Sequence, residues 1–186
     1  MPGRSGLGSS SAFTVGLLHA LYALQKKEVT KYQLACDAIH VEQNCIKENV
    51  GSQDQTVAAF GGINKIEFGG DKKIHVTPLS LDTAAIHALE AHLILFNTGQ
   101  ARNASDIAIE QIKNTADKSR ELHQMRAMVD VAEKILTSTP VRFADFGALL
   151  HDAWQLKRTL SSKITNSFID DIYSRARSAG ALGGKL

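Results

Sequence analysis

The sequence predicts an α+β fold, on three observations. Segments with helical spacing of apolar residues are interleaved with short strand-like runs. Two of those runs flank a glycine turn as the arms of a hairpin would. No regular strand–helix–strand rhythm runs through the chain, which argues against a doubly wound sheet. The 186 residues suffice for one ordinary domain or two small ones sharing a core. Apolar residues at 44% and charged residues at 22% exclude a disordered or collagen-like chain. The 21 lysines and arginines nearly balance 19 acids, so a net charge of +2 gives no electrostatic case for nucleic acid or an anionic membrane as partner. No apolar run approaches a membrane span and no signal-like start is expected, so the plain reading is a reduced, cytoplasmic protein. Cys36 and Cys45 fall in one expected helix and suit neither a disulfide framework nor a zinc site.

In chain order, the stretch from Phe13 to Leu24 is apolar on every side, the pattern of a core helix with neighbours on several faces. Those neighbours should be strands, and N-terminal structure is expected to be missing ahead of it. A second helix is predicted over Tyr32 to Lys47 with Thr30 as N-cap. A loop of turn formers runs from Asn49 to Gln55. Asn64 to Phe68 and Lys73 to Leu79 read as a hairpin about Gly69-Gly70-Asp71, the expected domain boundary. His92 to Phe96 reads as another strand. Helices are expected over Ala104 to Leu136, broken near Asn114 to Asp117, then over Arg142 to Arg158 after Pro140, and over Asn166 to Ala179.

Three constellations point to chemistry. Gly6-Leu7-Gly8-Ser9-Ser10-Ser11 leads directly into a helix. Glycines allow close backbone approach, the first helical turn offers unpaired N–H groups, and hydroxyls there can bond phosphate or ligate Mg²⁺. No Walker lysine is present, and the same string also reads as an ordinary capped helix. On a helical wheel, Tyr32, Leu34, Ala35, Cys36, Ala38, Ile39, Val41, Cys45 and Ile46 form an apolar arc with Glu42 near its middle. An inward carboxylate must be paired, protonated or bound to a cation. A structural salt bridge or a helix that bends away is the competing account. Asp54, in Gly51-Ser52-Gln53-Asp54-Gln55, supplies a second acid on the next loop. A cation held by one acid and a hydroxyl, with a second acid facing a substrate hydroxyl, is a phosphotransferase layout. Separately, Lys157 lies within the apolar arc of Phe143 to Leu160, where it either snorkels outward or receives an anion.

The motif Pro2, Gly6, Leu7, Gly8, Ser9, Ser10, Ser11 resembles the second motif of the GHMP kinase superfamily, P-x-x-x-G-L-G-S-S-[AS]. Val50 to Gly62, Thr98 to Arg102 with Ala104 to Asp106, and His151 to Arg158 resemble its bacterial heptose 7-phosphate kinases and related sugar kinases. The resemblance implies a two-domain kinase fold, residues 1–70 being the remainder of an ATP-binding N-terminal domain and 71–186 an incomplete C-terminal one. The superfamily's N-terminal strands and C-terminal Gly-rich end are expected to be missing. It further implies that Pro2 and Gly6 to Ser11 serve the ATP phosphates, that Ser10 and Glu42 hold Mg²⁺, and that Asp54 faces the acceptor hydroxyl. From the wheel position of Lys157, and not from the resemblance, Lys157 with Arg102 is expected to take the phosphate already on the substrate. The implied partners are ATP and a sugar or sugar phosphate, with a homo-oligomer compatible. The expected reaction is phosphorylation of the anomeric hydroxyl of a heptose 7-phosphate. The alternative is a truncated, inactive kinase fragment that at most binds nucleotide; a plain interaction domain fits the residues least.

Overall fold

A computed structural model describes residues 7–69, 73–99 and 113–186. Pro2, Gly6 and Arg102 therefore lie outside the described residues, as do most of the hairpin turn and the expected helix start at Ala104. The described residues form two compact units, one within Met1–Pro78 together with Gly99, the other Leu79–Thr98 with residues 113–186. The first unit retains the whole hairpin, whereas the expected division at residues 70 and 71 passes through its turn.

The first unit is built on three packed helices: α1 (Ser9–Leu24), α2 (Lys31–His40) and α3 (Gln53–Phe60). Thr30 caps α2 as expected, its hydroxyl accepting from the Gln33 N–H at 3.1 Å. Val15, Leu34 and Ala38 form the shared core, with Leu18, Tyr22, Val29 and Ala59 against it. Lys31 Nζ donates to the Phe60 carbonyl at 2.7 Å and ties the start of α2 to the end of α3. The expectation that α1 is enclosed on several faces is not met among the described residues. Its Ser11–Val15 side is buried, but Phe13 is 70% and Leu24 79% exposed, with Leu17 and Leu21 between them. Two neighbouring helices cover one stripe of a helix whose apolar residues go all round.

The expected continuous helix to Lys47 also needs correction. After His40 the turn widens to a π-helix, Val41–Cys45, in which the Ile46 N–H donates to the Val41 carbonyl at 2.9 Å. Lys47 then adopts a left-handed φ of 62°. The extra residue rotates the remainder of the helix, so Cys45 and Ile46, assigned to the apolar arc, are exposed. Beyond α3, β1 (Asn64–Phe68) and β2 (Ile74–Pro78) pair antiparallel from Asn64↔Pro78 to Phe68↔Ile74, the predicted hairpin.

The second unit begins with α4 (Thr83–Ala91), capped by the Asp82 carboxylate on the Ala85 N–H at 2.7 Å, a helix the periodicity did not predict. The strand expected over His92 to Phe96 is absent among the described residues. The His92 and Leu93 N–H groups turn back to the Leu89 and Glu90 carbonyls, completing a helix end instead of a ladder. Leu93 to Phe96 continue as exposed irregular chain, while the His92 ring stacks on Phe143 at 4.3 Å. The expected break near Asn114 is a turn, with the Asp117 and Lys118 N–H groups on the Asn114 carbonyl. Then come α5 (Ser119–Leu136), α6 (Phe143–Arg158) and α7 (Ser167–Ser178), each close to prediction. α5 packs on α6, and Arg158 pairs with Asp170 at 3.0 Å to link α6 to α7. Trp154, 1% exposed, is the largest buried side chain of this unit. The C-terminal segment crosses α6 so tightly that a Cβ on Gly183 would fall 1.9 Å from the Gly147 carbonyl oxygen. Only residues without side chains permit that crossing.

Candidate functional site

The site assembles at the N-terminal end of α1. Gly8 caps the helix in the left-handed region, φ 66°, and its carbonyl accepts the Ala12 N–H at 2.9 Å. A side chain cannot reach that conformation without strain, and none caps the first turn. The N–H groups of Ser9, Ser10 and Ser11 thus open the helix at the positive end of its dipole.

Ser11 is the buried member of the serine run, and its Oγ donates to Glu42 Oε2 at 3.0 Å. Ser10, expected beside Glu42, is exposed; its carbonyl accepts from Thr14 Oγ1. The hydroxyl in contact with the acid is therefore one residue further on. Glu42 is 2% exposed, as its place in the apolar arc predicted, because the widened turn starts only one residue before it and the phase of α2 still holds. Of the competing accounts, the salt bridge is not found, since the ion pairs among the described residues do not include Glu42. The helix does depart from regularity at Val41–Cys45 yet leaves the acid buried.

What holds the acid is an amide. Gln55 Nε2 donates to the same oxygen, Oε2, that Ser11 holds. Gln55 is completely buried, and sequence reasoning passed over it beside Asp54. Adjacent helical residues lie about 100° apart, so Asp54 can face solvent while Gln55 faces the core, but nothing periodic in the sequence marks Gln55 as the inward one. Glu42 Oε1 and Gln55 Oε1 are both buried without a hydrogen-bond partner among the described residues. Two desolvated oxygen acceptors are costly unless something positive satisfies them.

Asp54 was expected on a loop and instead lies in the first turn of α3. The loop before it is shortened by Gln43, whose Nε2 donates to the Val50 carbonyl at 3.0 Å and to Ser52 Oγ at 3.2 Å. Thr56 Oγ1 donates back to the Ser52 carbonyl at 2.7 Å and fixes the start of the helix. That start places Asp54 directly against Gly8: a Cβ there would lie 3.1 Å from Asp54 Oδ2. Gly8, Ser11, Glu42, Asp54 and Gln55 are thus one neighbourhood, with Leu7 exposed at its edge and Ser9 half-buried. Among the described residues, no group of three or more His, Cys, Asp or Glu side chains makes a metal cage. Mg²⁺ usually needs none, since one or two carboxylates and substrate phosphates complete its octahedron. The unpartnered buried oxygens, with a serine hydroxyl alongside, fit such a hard cation.

Lys157 is on α6 in the second unit. It is half-buried, and its Nζ reaches the Leu186 carbonyl at 3.5 Å. On the same helix, His151 Nδ1 lies 2.7 Å from Tyr173 Oη of α7, with the two rings stacked. Burial pushes the Tyr173 phenol above its ordinary value.

Residues 1–62 match the model of the GHMP kinases N terminal domain. Over those residues the chain is similar to the GHMP kinases. The whole chain is 33% identical to the D-glycero-alpha-D-manno-heptose 7-phosphate kinase of Campylobacter jejuni, covering 100% of this chain and 55% of that protein. Among solved structures, it resembles a D-glycero-D-manno-heptose 1-phosphate kinase from Bacteroides thetaiotaomicron with a TM-score of 0.63 and 26% identity, covering 100% of this chain and 51% of that one. A sugar kinase structure from Campylobacter jejuni matches at a TM-score of 0.63 and 25% identity, with 52% of that chain covered. The chain spans about half the length of these heptose kinases and of the sugar kinase beside them. The helix-rich α+β architecture with its small sheet is that of GHMP kinases. Among the described residues no helix is long and apolar enough to cross a membrane.

Proposed function

We propose that this chain carries the nucleotide- and cation-binding centre of an ATP-dependent sugar kinase, acting on the anomeric hydroxyl of a heptose 7-phosphate. The observation that carries the reading is the convergence of Ser11, Glu42, Gln55 and Asp54 at the open end of α1. The N–H groups of that turn, with Gly6, Leu7, Gly8, Ser9, Ser10 and Ser11 and the preceding Pro2, bind the ATP phosphates. Glu42 would hold Mg²⁺ there, with the Ser11 hydroxyl beside it and Ser10, the expected partner, one residue away on the exposed side of the turn. The chemistry a bound Mg²⁺ supplies is neutralisation of charge on the phosphate oxygens. Asp54 orients the acceptor hydroxyl and accepts its proton as the new O–P bond forms and the bond from the γ-phosphorus to the departing ADP breaks. Arg102 and Lys157 bind the phosphate the sugar already carries, within a division of residues 1–70 for nucleotide and 71–186 for substrate.

The names of the similar proteins support heptose phosphate as substrate class, and differ between a 7-phosphate and a 1-phosphate kinase. The uncovered apolar stripe of α1 supports a second reading, in which the chain binds nucleotide without transferring phosphate. One experiment separates the two: ATP and heptose 7-phosphate are incubated with the chain, and ADP release is followed beside thermal denaturation with Mg-ATP. Phosphorylated heptose that disappears in Asp54→Ala supports the kinase. Thermal stabilisation without product supports binding alone, and neither effect at millimolar ligand overturns both.

A further inference from the structure

We propose that Gln55 is the positioning residue for the cation-binding carboxylate, holding Glu42 by Oε2 so that Oε1 stays open to the metal. This rests on the cation site of the proposed function and gives Gln55 a role that reading leaves unassigned. Two donors, Ser11 Oγ and Gln55 Nε2, meet on one oxygen of Glu42. The other oxygen is buried and has no hydrogen-bond partner among the described residues. An asymmetry of that kind leaves one acceptor to be satisfied by something else. Donors from two directions also hold the carboxylate in one rotamer, which a ligand of Mg²⁺ requires because the ion tolerates little departure from octahedral geometry. The Gln55 carbonyl oxygen is itself buried and unpartnered, so a second neutral oxygen lies on the same side chain. An amide serves here where a lysine or arginine would not: it holds the carboxylate without cancelling the charge that attracts a cation.

The test uses Mn²⁺ alone as the probe, with free Mn²⁺ read by its electron paramagnetic resonance signal. Gln55→Met keeps length and volume while removing both polar atoms. Thr56→Val is the control, since Thr56 is equally buried on α3 but bonds Ser52 and not Glu42. Gln55→Met is expected to weaken Mn²⁺ binding at least tenfold while Thr56→Val stays within about threefold of wild type, the order expected for losing an outer partner of a metal ligand. Equal affinity in Gln55→Met and wild type overturns the positioning role and leaves the cation site standing. A loss as large in Thr56→Val assigns the effect to packing and overturns it as well. Absence of Mn²⁺ binding by the wild-type chain overturns the cation site itself. If circular dichroism shows Gln55→Met unfolded, the wild-type chain answers by NMR. Broadening of the Gln55 side-chain amide by substoichiometric Mn²⁺, ahead of other glutamines, supports the proposal, and an unbroadened signal overturns it.

Discussion

Ser11 Oγ donates to Glu42 Oε2 at 3.0 Å, joining α1 to the widened turn after α2 across 31 residues of sequence. The bond is buried and its acceptor is a carboxylate, so its loss is felt twice, as a missing interaction and as a desolvated acid with one donor fewer. Ser11→Ala is expected to lower stability by about 1–3 kcal/mol. Ser10→Ala, at an exposed position, should stay within about 0.5 kcal/mol. Urea denaturation of the two variants checks the difference; equal effects would mean that Ser11 does not hold the acid in solution.

Gly8 faces Asp54, and the two positions should respond differently. Gly8→Ala meets a left-handed backbone and a carboxylate at 3.1 Å, so it should cost about 1–2 kcal/mol and displace Asp54. Asp54→Ala removes an exposed side chain, so Tm should hardly change. If Asp54 accepts the proton in phosphoryl transfer, kcat falls by about 10²–10⁴. A full-rate Asp54→Ala would remove that role.

Lys157→Ala should raise KM for the phosphorylated sugar more than KM for ATP, because the lysine is assigned to the substrate's own phosphate. Steady-state kinetics with each substrate varied in turn decide it, and equal changes would argue for a general effect on folding.

Trp154 is the chain's single tryptophan and lies in the second unit, so its fluorescence reports that unit selectively. Trp154→Phe should retain the fold at a cost, whereas Trp154→Ala should lose about 3–5 kcal/mol and expose the second unit first. Limited proteolysis mapped to residues beyond Leu79 would register the loss.

Tyr173 makes the second unit sensitive to alkali. Its folded phenol holds its proton above the ordinary value, chiefly through burial, so the folded state binds more protons than the unfolded one near and above pH 10. Its contribution is therefore full at neutral pH and declines as pH rises through the folded value. Tyr173→Phe should flatten the alkaline limb of a stability profile read by Trp154 fluorescence, and an unchanged limb would refute the assignment.

Much of this was legible because local rules and tertiary packing agreed. The hairpin, the Thr30 cap and helices α5 to α7 come from turn chemistry and spacing alone. Glu42 was legible because an acid in an apolar arc has few places to go. His92 to Phe96 misled because an apolar run of that length suits a strand or a helix end equally, and Asp82 decided it by capping a helix just upstream. Gln55 was hidden for a different reason. A polar residue beside a recognisable acid carries no periodic signal of its own, and its importance lies in a partner thirteen residues away.

The widened turn at Val41–Cys45 has a further consequence for anyone lining up related chains. It houses one amino acid more than a turn of the regular helix that precedes it. A homologue whose coil runs on evenly there matches this chain only if a single-position gap opens beside Glu42. Without the gap, its acid is paired with Val41 or Gln43, and a shared ligand is scored as a substitution.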